Sequence, residues 1–551
     1  MGLTRTVGYG GDSGSISDIE RAGLILLVGS NAAENHPVLA TRIRRAHKLR
    51  GQKLIVADLR RHEMAERADL WLRPQPSTDL ISVSAVAKYI LDRGWQDQEF
   101  IAARVNSFEK YRESLQPFTL EFAEEKTGIS AEPLKTVAEQ IAQADSVCIL
   151  WAMGVTQHKH GSDTSTAISN LLLLTGNYGR PGTGGCPLRG HSNVQGSSDF
   201  GSMPNQYPGY MDVHDDEMRR HWEQAWGVPL PAGKGMDDHV MVDGMHEGAI
   251  RGLYLIGEDM ISSESNHHYL AAGLERLELF VVQEIFFTLT CRYADVILPG
   301  TPSFEKEGTY VNTERRIQRI YEVMKPLPGT RPDWQIIQGI ANRLGAQWSY
   351  ESPSEIMDEC AGIAPMFAGV TYARLAGYNS LHWPVQADGT DTPLLYKERF
   401  HFPDGKAKFH PIEWSAPSQQ EDDEYPLHLN NGCMLEHFEP GNMTYRIPGI
   451  VMKAPDTFLE VAARHGLEDG RWVKVKSRDG EITLRAMVTD RVSGNQLYAP
   501  LNSREQPINT LTSNHADAVV HTPAYKSLFT IFGPFMKRDA RQLYAIRFPA
   551  R

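Results

Sequence analysis

Residues 182–203 read GTGGCPLRGHSNVQGSSDFGSM, and their types suggest chemistry rather than packing. Arg189 and His191 stand among glycines, followed by Asn193, Gln195 and Asp199. Such a segment has too few apolar side chains to build a core. Glycines let a backbone wrap closely around a large polar ligand, and an arginine offers a planar fork to an anion. Two other polar groups stand at or just beyond the ends of apolar runs: Asp58 after KLIVA and Gln157 after VCILWAM. Buried polar groups at strand ends need partners, so both are candidate ligand contacts. The five cysteines (Cys148, Cys186, Cys291, Cys360 and Cys433) are scattered and form no CxxC, which argues against a local iron–sulfur or zinc motif and against a disulfide framework. The pairs His158/His160 and His267/His268 lack any recognised ligand spacing and read as solvated loop histidines.

The elements that position these groups are legible from periodicity. The run Leu24–Val28 is short, continuous and apolar, as expected of a buried parallel strand. Gly29, Ser30 and Asn31 turn the chain, and residues 36–49 follow at helical spacing, with Val38, Leu39, Ile43 and Ala46 on one face. Lys53–Ala57 is a second strand ending at Asp58. Strand, helix and strand with a polar turn between them is a nucleotide-binding arrangement, although no GxGxxG is present. Residues 146–153 and 164–174 repeat the pattern, and apolar runs at 253–256, 279–282 and 294–298 begin a second such half across 248–300. A polar, acidic stretch at 415–425 precedes a change of texture. Beyond it, 472–475 and 482–488 flank Arg478-Asp479-Gly480 and read as a hairpin within a mostly β domain.

Composition narrows the class. The chain has 551 residues, 41% hydrophobic and 23% charged, enough for several domains. A formal net charge of -12 argues against nucleic acid as a partner. The longest apolar runs are too short to span a bilayer, and no signal-like segment precedes the first strand, so a cytoplasmic location is expected.

The 182–203 loop resembles the active-site loop of the molybdopterin oxidoreductases, most closely the metal-dependent formate dehydrogenases. In that family an arginine within a run like PLRGxxNVQG lies beside the metal and faces the substrate. Further matches follow in order. Gly29-Ser30-Asn31 with Glu34-Asn35-His36-Pro37 looks like the first pterin–guanine contact loop, and Asp58-Leu59-Arg60-Arg61 like the usual Asp-Pro-Arg. Ser77-Thr78-Asp79 resembles a guanine contact, and Met153-Gly154-Val155-Thr156-Gln157-His158 resembles the GVTQH turn. Gly257-Glu258-Asp259 looks like a contact for a second guanine. The segment 305–318 matches a core signature of the family in which Asn312, Glu314, Arg315 and Arg316 could be ligand contacts or an internal ion network. Asn442, Asn509, Tyr525 and Lys526 resemble contacts that close over the cofactor.

The resemblance implies an α/β fold of two Rossmann-like doubly wound units plus a C-terminal β-barrel, of the formate dehydrogenase/DMSO reductase type. Residues 1–190 would form the first dinucleotide-binding domain, 191–415 the second unit with inserted helical segments, and 424–551 the barrel. It implies bis(molybdopterin guanine dinucleotide) with molybdenum or tungsten, and two-electron oxidation of formate to carbon dioxide. Arg189 and His191 take the catalytic roles. Cofactor contacts fall on Gly29, Asn31, Glu34, Asn35, Asp58, Arg60, Asp79, Met153, Gly154, Gln157, Gly257, Glu258, Asp259, Gln283, His437, Asn442, Asn509, Tyr525 and Lys526. No metal ligand is expected in this chain. The family's 4Fe–4S cluster and its metal-ligating cysteine or selenocysteine would belong to an upstream portion or a partner electron-transfer subunit. His191 stands where formate dehydrogenases usually have glutamine. Two alternatives therefore stay open: a related oxidoreductase with another small substrate, or a non-catalytic cofactor-binding subunit.

Overall fold

A computed structural model describes residues 1–503 and 506–534. Its first unit is a five-stranded parallel sheet. The spatial order is Leu70–Leu72, Lys53–Ala57, Leu24–Val28, Val147–Trp151 and Gly184–Pro187. Every residue of Leu24–Val28 is buried, because helices cover both faces. Leu24, Leu26 and Val28 pack towards helices Asp79–Asp92, Ala131–Gln143 and Gly161–Leu174. Ile25 and Leu27 pack towards helix Pro37–Arg50 through Leu39, Ala40 and Ile43. Val38, expected on that buried face, is 75% exposed; the stripe is narrower than its spacing suggested.

Strand order reverses between Leu24–Val28 and Val147–Trp151, which opens a crevice at their carboxyl ends. Gly29 and Gly154 meet across it, with the Gly154 N–H donating to the Gly29 carbonyl at 3.1 Å. A Cβ on Gly154 would lie 2.3 Å from that oxygen, so neither strand end can carry a side chain there.

The second unit has three parallel strands in the order Val296–Pro299, Leu279–Glu284, Gly252–Ile256. Phe280 and Val282 face Met245, Leu270 and Leu274 of two helices. The opposite face has no such cover among the described residues. Tyr254, Ile256, Leu279 and Val296 are exposed there, and helix Asp333–Arg343 buries none of its residues. Unlike the first sheet, this one is thus wound on one face. Segments of 191–415 also return to the first unit: Ala407–Lys408 pairs in parallel with Val105–Asn106. Arg315, wholly buried, donates to the carbonyls of Asp12, Trp383, Thr392 and Pro393.

The C-terminal part is a closed six-stranded barrel. The expected hairpin is its Trp472–Lys476/Glu481–Val488 pair, with Lys476 opposite Glu481. The inward residues Val473, Val475, Ile482 and Leu484 alternate with outward ones, as a strand covered on one side requires.

Candidate functional site

The crevice at the first switch point opens into a cleft between the first unit and the barrel. Its floor is Gly29, Ser30, Asn31, Asn35, His36 and Asp58; Met153 and Gly154 form one wall, and Gly190 of the glycine-rich loop another. The barrel closes the remaining side with Asn430, Asn431, Cys433, Phe438, Tyr498 and Lys526. Ser30 and His36 belong to the contact loop already read from the sequence; the sequence reading missed His62, Asn430, Asn431, Cys433, Phe438 and Tyr498 as residues of the cleft. The two asparagines followed by Gly432 were a usable signal, since polar residues at a barrel strand's end seldom serve its core.

The cleft is rich in buried polar atoms that have no partner among the described residues: Ser30 Oγ, both amide atoms of Asn31, and His36 Nδ1. Buried polar atoms are normally paired, so an edge of this kind fits a ligand with many donors and acceptors. Asp58 accepts from the backbone N–H of Arg60 at 2.9 Å. Burial opposes its ionisation, but His62 and that N–H outweigh burial and hold its carboxyl below the usual range. Lys526 donates to Asn431, and burial lowers its ammonium to about 8. An anion in the cleft would favour its charged form.

Arg60 lines the cleft, yet its guanidinium belongs to the barrel. Nε and Nη2 each donate to Glu460 at 2.7 Å, and the group lies 4.2 Å over the Tyr498 ring. Glu34 completes that network at 3.5 Å from Arg60. Asp79 sits apart from the main cleft, in a small recess with Ser77, His158, Lys159 and His160. Burial, helped by the Asp58 charge, raises Asp79 to about 7. His158 is buried, not solvated as its sequence context suggested: Nε2 lies 2.9 Å from the Gly154 carbonyl, and burial lowers it to about 3. Gln157 keeps its buried Oε1 without a partner among the described residues.

The loop beside the cleft is pinned from below. The Arg189 backbone N–H donates to Thr313 Oγ1 at 3.3 Å, and Asn193 Oδ1 accepts from the Val311 N–H at 2.9 Å. His36 Nε2 lies 2.7 Å from the Arg189 carbonyl. His191 is exposed and meets the Phe438 ring edge-on at 5.0 Å. Within 305–318, Arg316 pairs with Glu314 at 2.7 Å, so that signature forms an internal network.

A second set of expected residues gathers at the carboxyl ends of the smaller sheet. Glu258 accepts from Ser263, and Asn509 donates to the Ser262 and Ser263 carbonyls. The Tyr525 hydroxyl donates to the Ser263 carbonyl at 3.0 Å. Gly257 has φ +66 and open space where a Cβ would point. Asp259 accepts from Thr290 and Ser262, and Gln283 from Tyr254, so both are engaged within the unit. His437 and Asn442 fall outside the main cleft. His437 is fully buried, its two nitrogens on Thr444 and the Ala454 carbonyl, while the Asn442 carbonyl accepts from Arg446.

This second cluster is acidic. Burial, then Asp238 and Glu258, push the half-buried Glu264 up to about 8. Between its ordinary value and 8 the folded chain binds the extra proton, so the chain loses stability as pH rises through that window. In the cofactor-free chain, Glu264→Gln therefore raises the melting midpoint at pH 8, and the gain over wild type shrinks towards pH 5. A thermal-melt series against pH checks this; an equal gain at both pH values would remove Glu264 as its cause.

Comparison with known proteins adds the following. Residues 6–343 match the family model of molybdopterin oxidoreductases, and 427–529 match the molybdopterin dinucleotide binding domain. The chain is 56% identical over 530 residues to the Bacillus subtilis protein named "Probable oxidoreductase YjgC". It is 52% identical over 535 residues to a Staphylococcus aureus protein named "Putative formate dehydrogenase". Each alignment covers 95% of this chain and 54% of the relative, so the chain spans about half the length of the curated relatives it matches. In fold it is similar to acetylene hydratase from Pelobacter acetylenicus, with TM-score 0.77 and 19% identity over 97% of this chain and 80% of that one.

Proposed function

This chain belongs to the molybdopterin oxidoreductase family and carries its dinucleotide-binding domain; on that premise we propose that it holds bis(molybdopterin guanine dinucleotide), with molybdenum or tungsten, and serves the oxidation of formate to carbon dioxide. The observation that carries the reading is the cleft whose buried Ser30, Asn31 and His36 atoms lack partners among the described residues, with the glycine-rich loop of Arg189 along its wall. Gly29, Asn31, Asn35, Asp58, Met153, Gly154 and Lys526 would hold one dinucleotide, and Asp79 with Gln157 its far end. The cluster at Gly257, Glu258, Asn509 and Tyr525 would hold the other. When bound, the cofactor takes up the two electrons that formate loses with its proton. Arg189 holds the carboxylate by parallel charge-assisted hydrogen bonds. His191 donates a hydrogen bond beside it or accepts the proton released. Because His191 stands where glutamine is usual, a related oxidoreductase acting on another small substrate is the second reading.

Purified loaded enzyme should contain molybdenum or tungsten with guanine nucleotide, and should reduce an artificial acceptor with formate. Guanine and metal without formate turnover, but with turnover of another small substrate, would move the assignment to the second reading. Absence of guanine nucleotide from folded protein would overturn both.

We place a partner polypeptide on the bare face of the smaller sheet, where Tyr254, Ile256 and Val296 are exposed. Its occupant is the portion that the relatives carry and this chain does not match, supplied in the same chain or separately. Amide hydrogen exchange on 252–299 should slow when that portion is co-produced. Unchanged exchange in a stable complex would place the contact elsewhere.

A further inference from the structure

The side chain of Arg189 is gripped by two protein groups. Nε donates to Gln195 Oε1 at 3.0 Å, and Nη2 donates to the Gly10 carbonyl at 2.9 Å. Among the described residues no hydrogen bond engages Nη1, which leaves that end of the guanidinium for a ligand; the buried Asp12 carboxyl is close enough to feel its charge.

What fixes this choice lies one layer deeper. Gln195 Nε2 donates to Asp199 Oδ1 at 2.6 Å and to the Tyr210 hydroxyl at 2.9 Å. The Tyr210 hydroxyl donates to the same carboxylate oxygen at 2.7 Å, and the Trp383 indole N–H donates to Asp199 Oδ2 at 2.6 Å. Gln195 and Asp199 are both fully buried. An amide has one donor end and one acceptor end, and an ionised carboxylate only accepts. Reversing the Gln195 amide would set its oxygen against the carboxylate and its N–H₂ against the Arg189 N–H. Both contacts would be repulsive and buried. The charge on Asp199 therefore dictates which way Gln195 points, and Gln195 dictates which face of Arg189 stays free.

We infer that Asp199 is a positioning residue for Arg189, acting through Gln195 and Tyr210 to hold the free end of the guanidinium towards the carboxylate substrate. The inference rests on the proposed role of Arg189 in substrate binding. Burial raises Asp199 to about 6 even with three donors on it, so this charge is held against a real desolvation cost.

The test is a variant series in the loaded enzyme, with metal and guanine content measured for each protein. Asp199→Asn should raise KM for formate about tenfold, the worth of one well-placed hydrogen bond, with kcat changed far less. The isosteric swap Gln195→Glu with Asp199→Asn moves the carboxylate one residue towards Arg189 and keeps the acceptor at its Nε. It should bring KM back to within about threefold of wild type, the precision expected of a relocated contact. A structural role predicts no such recovery. Unchanged KM in Asp199→Asn at full loading, or a loss that the swap does not recover, overturns the inference. If Asp199→Asn alone fails to fold or load, the swap decides: normal loading and KM support the relay, and failure overturns it. Arg189→Lys in the same series separates the two levels. If it lowers kcat/KM while Asp199→Asn does not, only the relay falls. If Arg189→Lys matches wild type, the substrate role falls first and the relay with it.

Discussion

Replacing Arg189 with lysine should lower kcat/KM for formate, the proposed substrate, by about one to two orders of magnitude in the loaded enzyme, since a charge-assisted bond lost in a dry site costs about 1.5–3 kcal/mol. The charge survives this substitution, so the loss isolates geometry. A guanidinium grips a carboxylate through two parallel N–H groups; an ammonium is a point charge on a flexible stem. Lysine also cannot satisfy Gln195 and the Gly10 carbonyl while still reaching outward, because those two acceptors now hold the side chain in place. His191→Gln should be milder. His191 is exposed and touches Phe438 edge-on, and glutamine still donates a hydrogen bond from that position. Steady-state kinetics at equal metal and guanine content decide the matter. Wild-type kcat/KM in Arg189→Lys would make the arginine a loop anchor and remove the main support for formate.

Removal of the Glu460 carboxylate destabilises the fold by about 3–5 kcal/mol, the usual penalty for stranding one member of a buried ion pair. Glu460 is fully buried and accepts both arms of Arg60 at 2.7 Å, with Arg491 reaching it from the surface at 3.3 Å. Glu460→Ala leaves the Arg60 charge facing Tyr498 and Glu34 alone. Denaturant unfolding of Arg60→Met, Glu460→Leu and the double variant forms a cycle with a definite expectation. Each single change costs several times more than the pair together, because a buried pair replaced by apolar residues is often close to neutral. If the double variant costs the sum of the singles, the pair does not couple the barrel to the first unit. Cofactor content in the double variant separates this structural bond from a direct role of Arg60 in binding.

These two residues show what could be read before the fold was known. Gly29, Asn31, Asp58 and Gly154 were legible because each follows an apolar strand at its carboxyl end, and strand ends are where such sheets bind ligands. Arg60 was found as a residue but not for its partner. Glu460 lies 400 residues away, and no local pattern announces a contact made by barrel closure. The same distance hid Asn431, Phe438 and Tyr498, which reach the cleft only when the barrel docks. His158 was misread because polar neighbours in sequence say nothing about burial by Ser527 from the far end of the chain. The bare face of the smaller sheet was invisible to periodicity, since Gly252–Ile256 is as apolar as a strand covered on both sides.

That bare face also has a bearing on how a cell handles the protein. An unaccompanied copy displays an open strand edge beside Tyr254, Ile256 and Val296, the kind of surface that chaperones hold and proteases clear. On the reading proposed above, cover of that face by the portion of its relatives that this chain does not match, in the same chain or a separate one, would lengthen its lifetime.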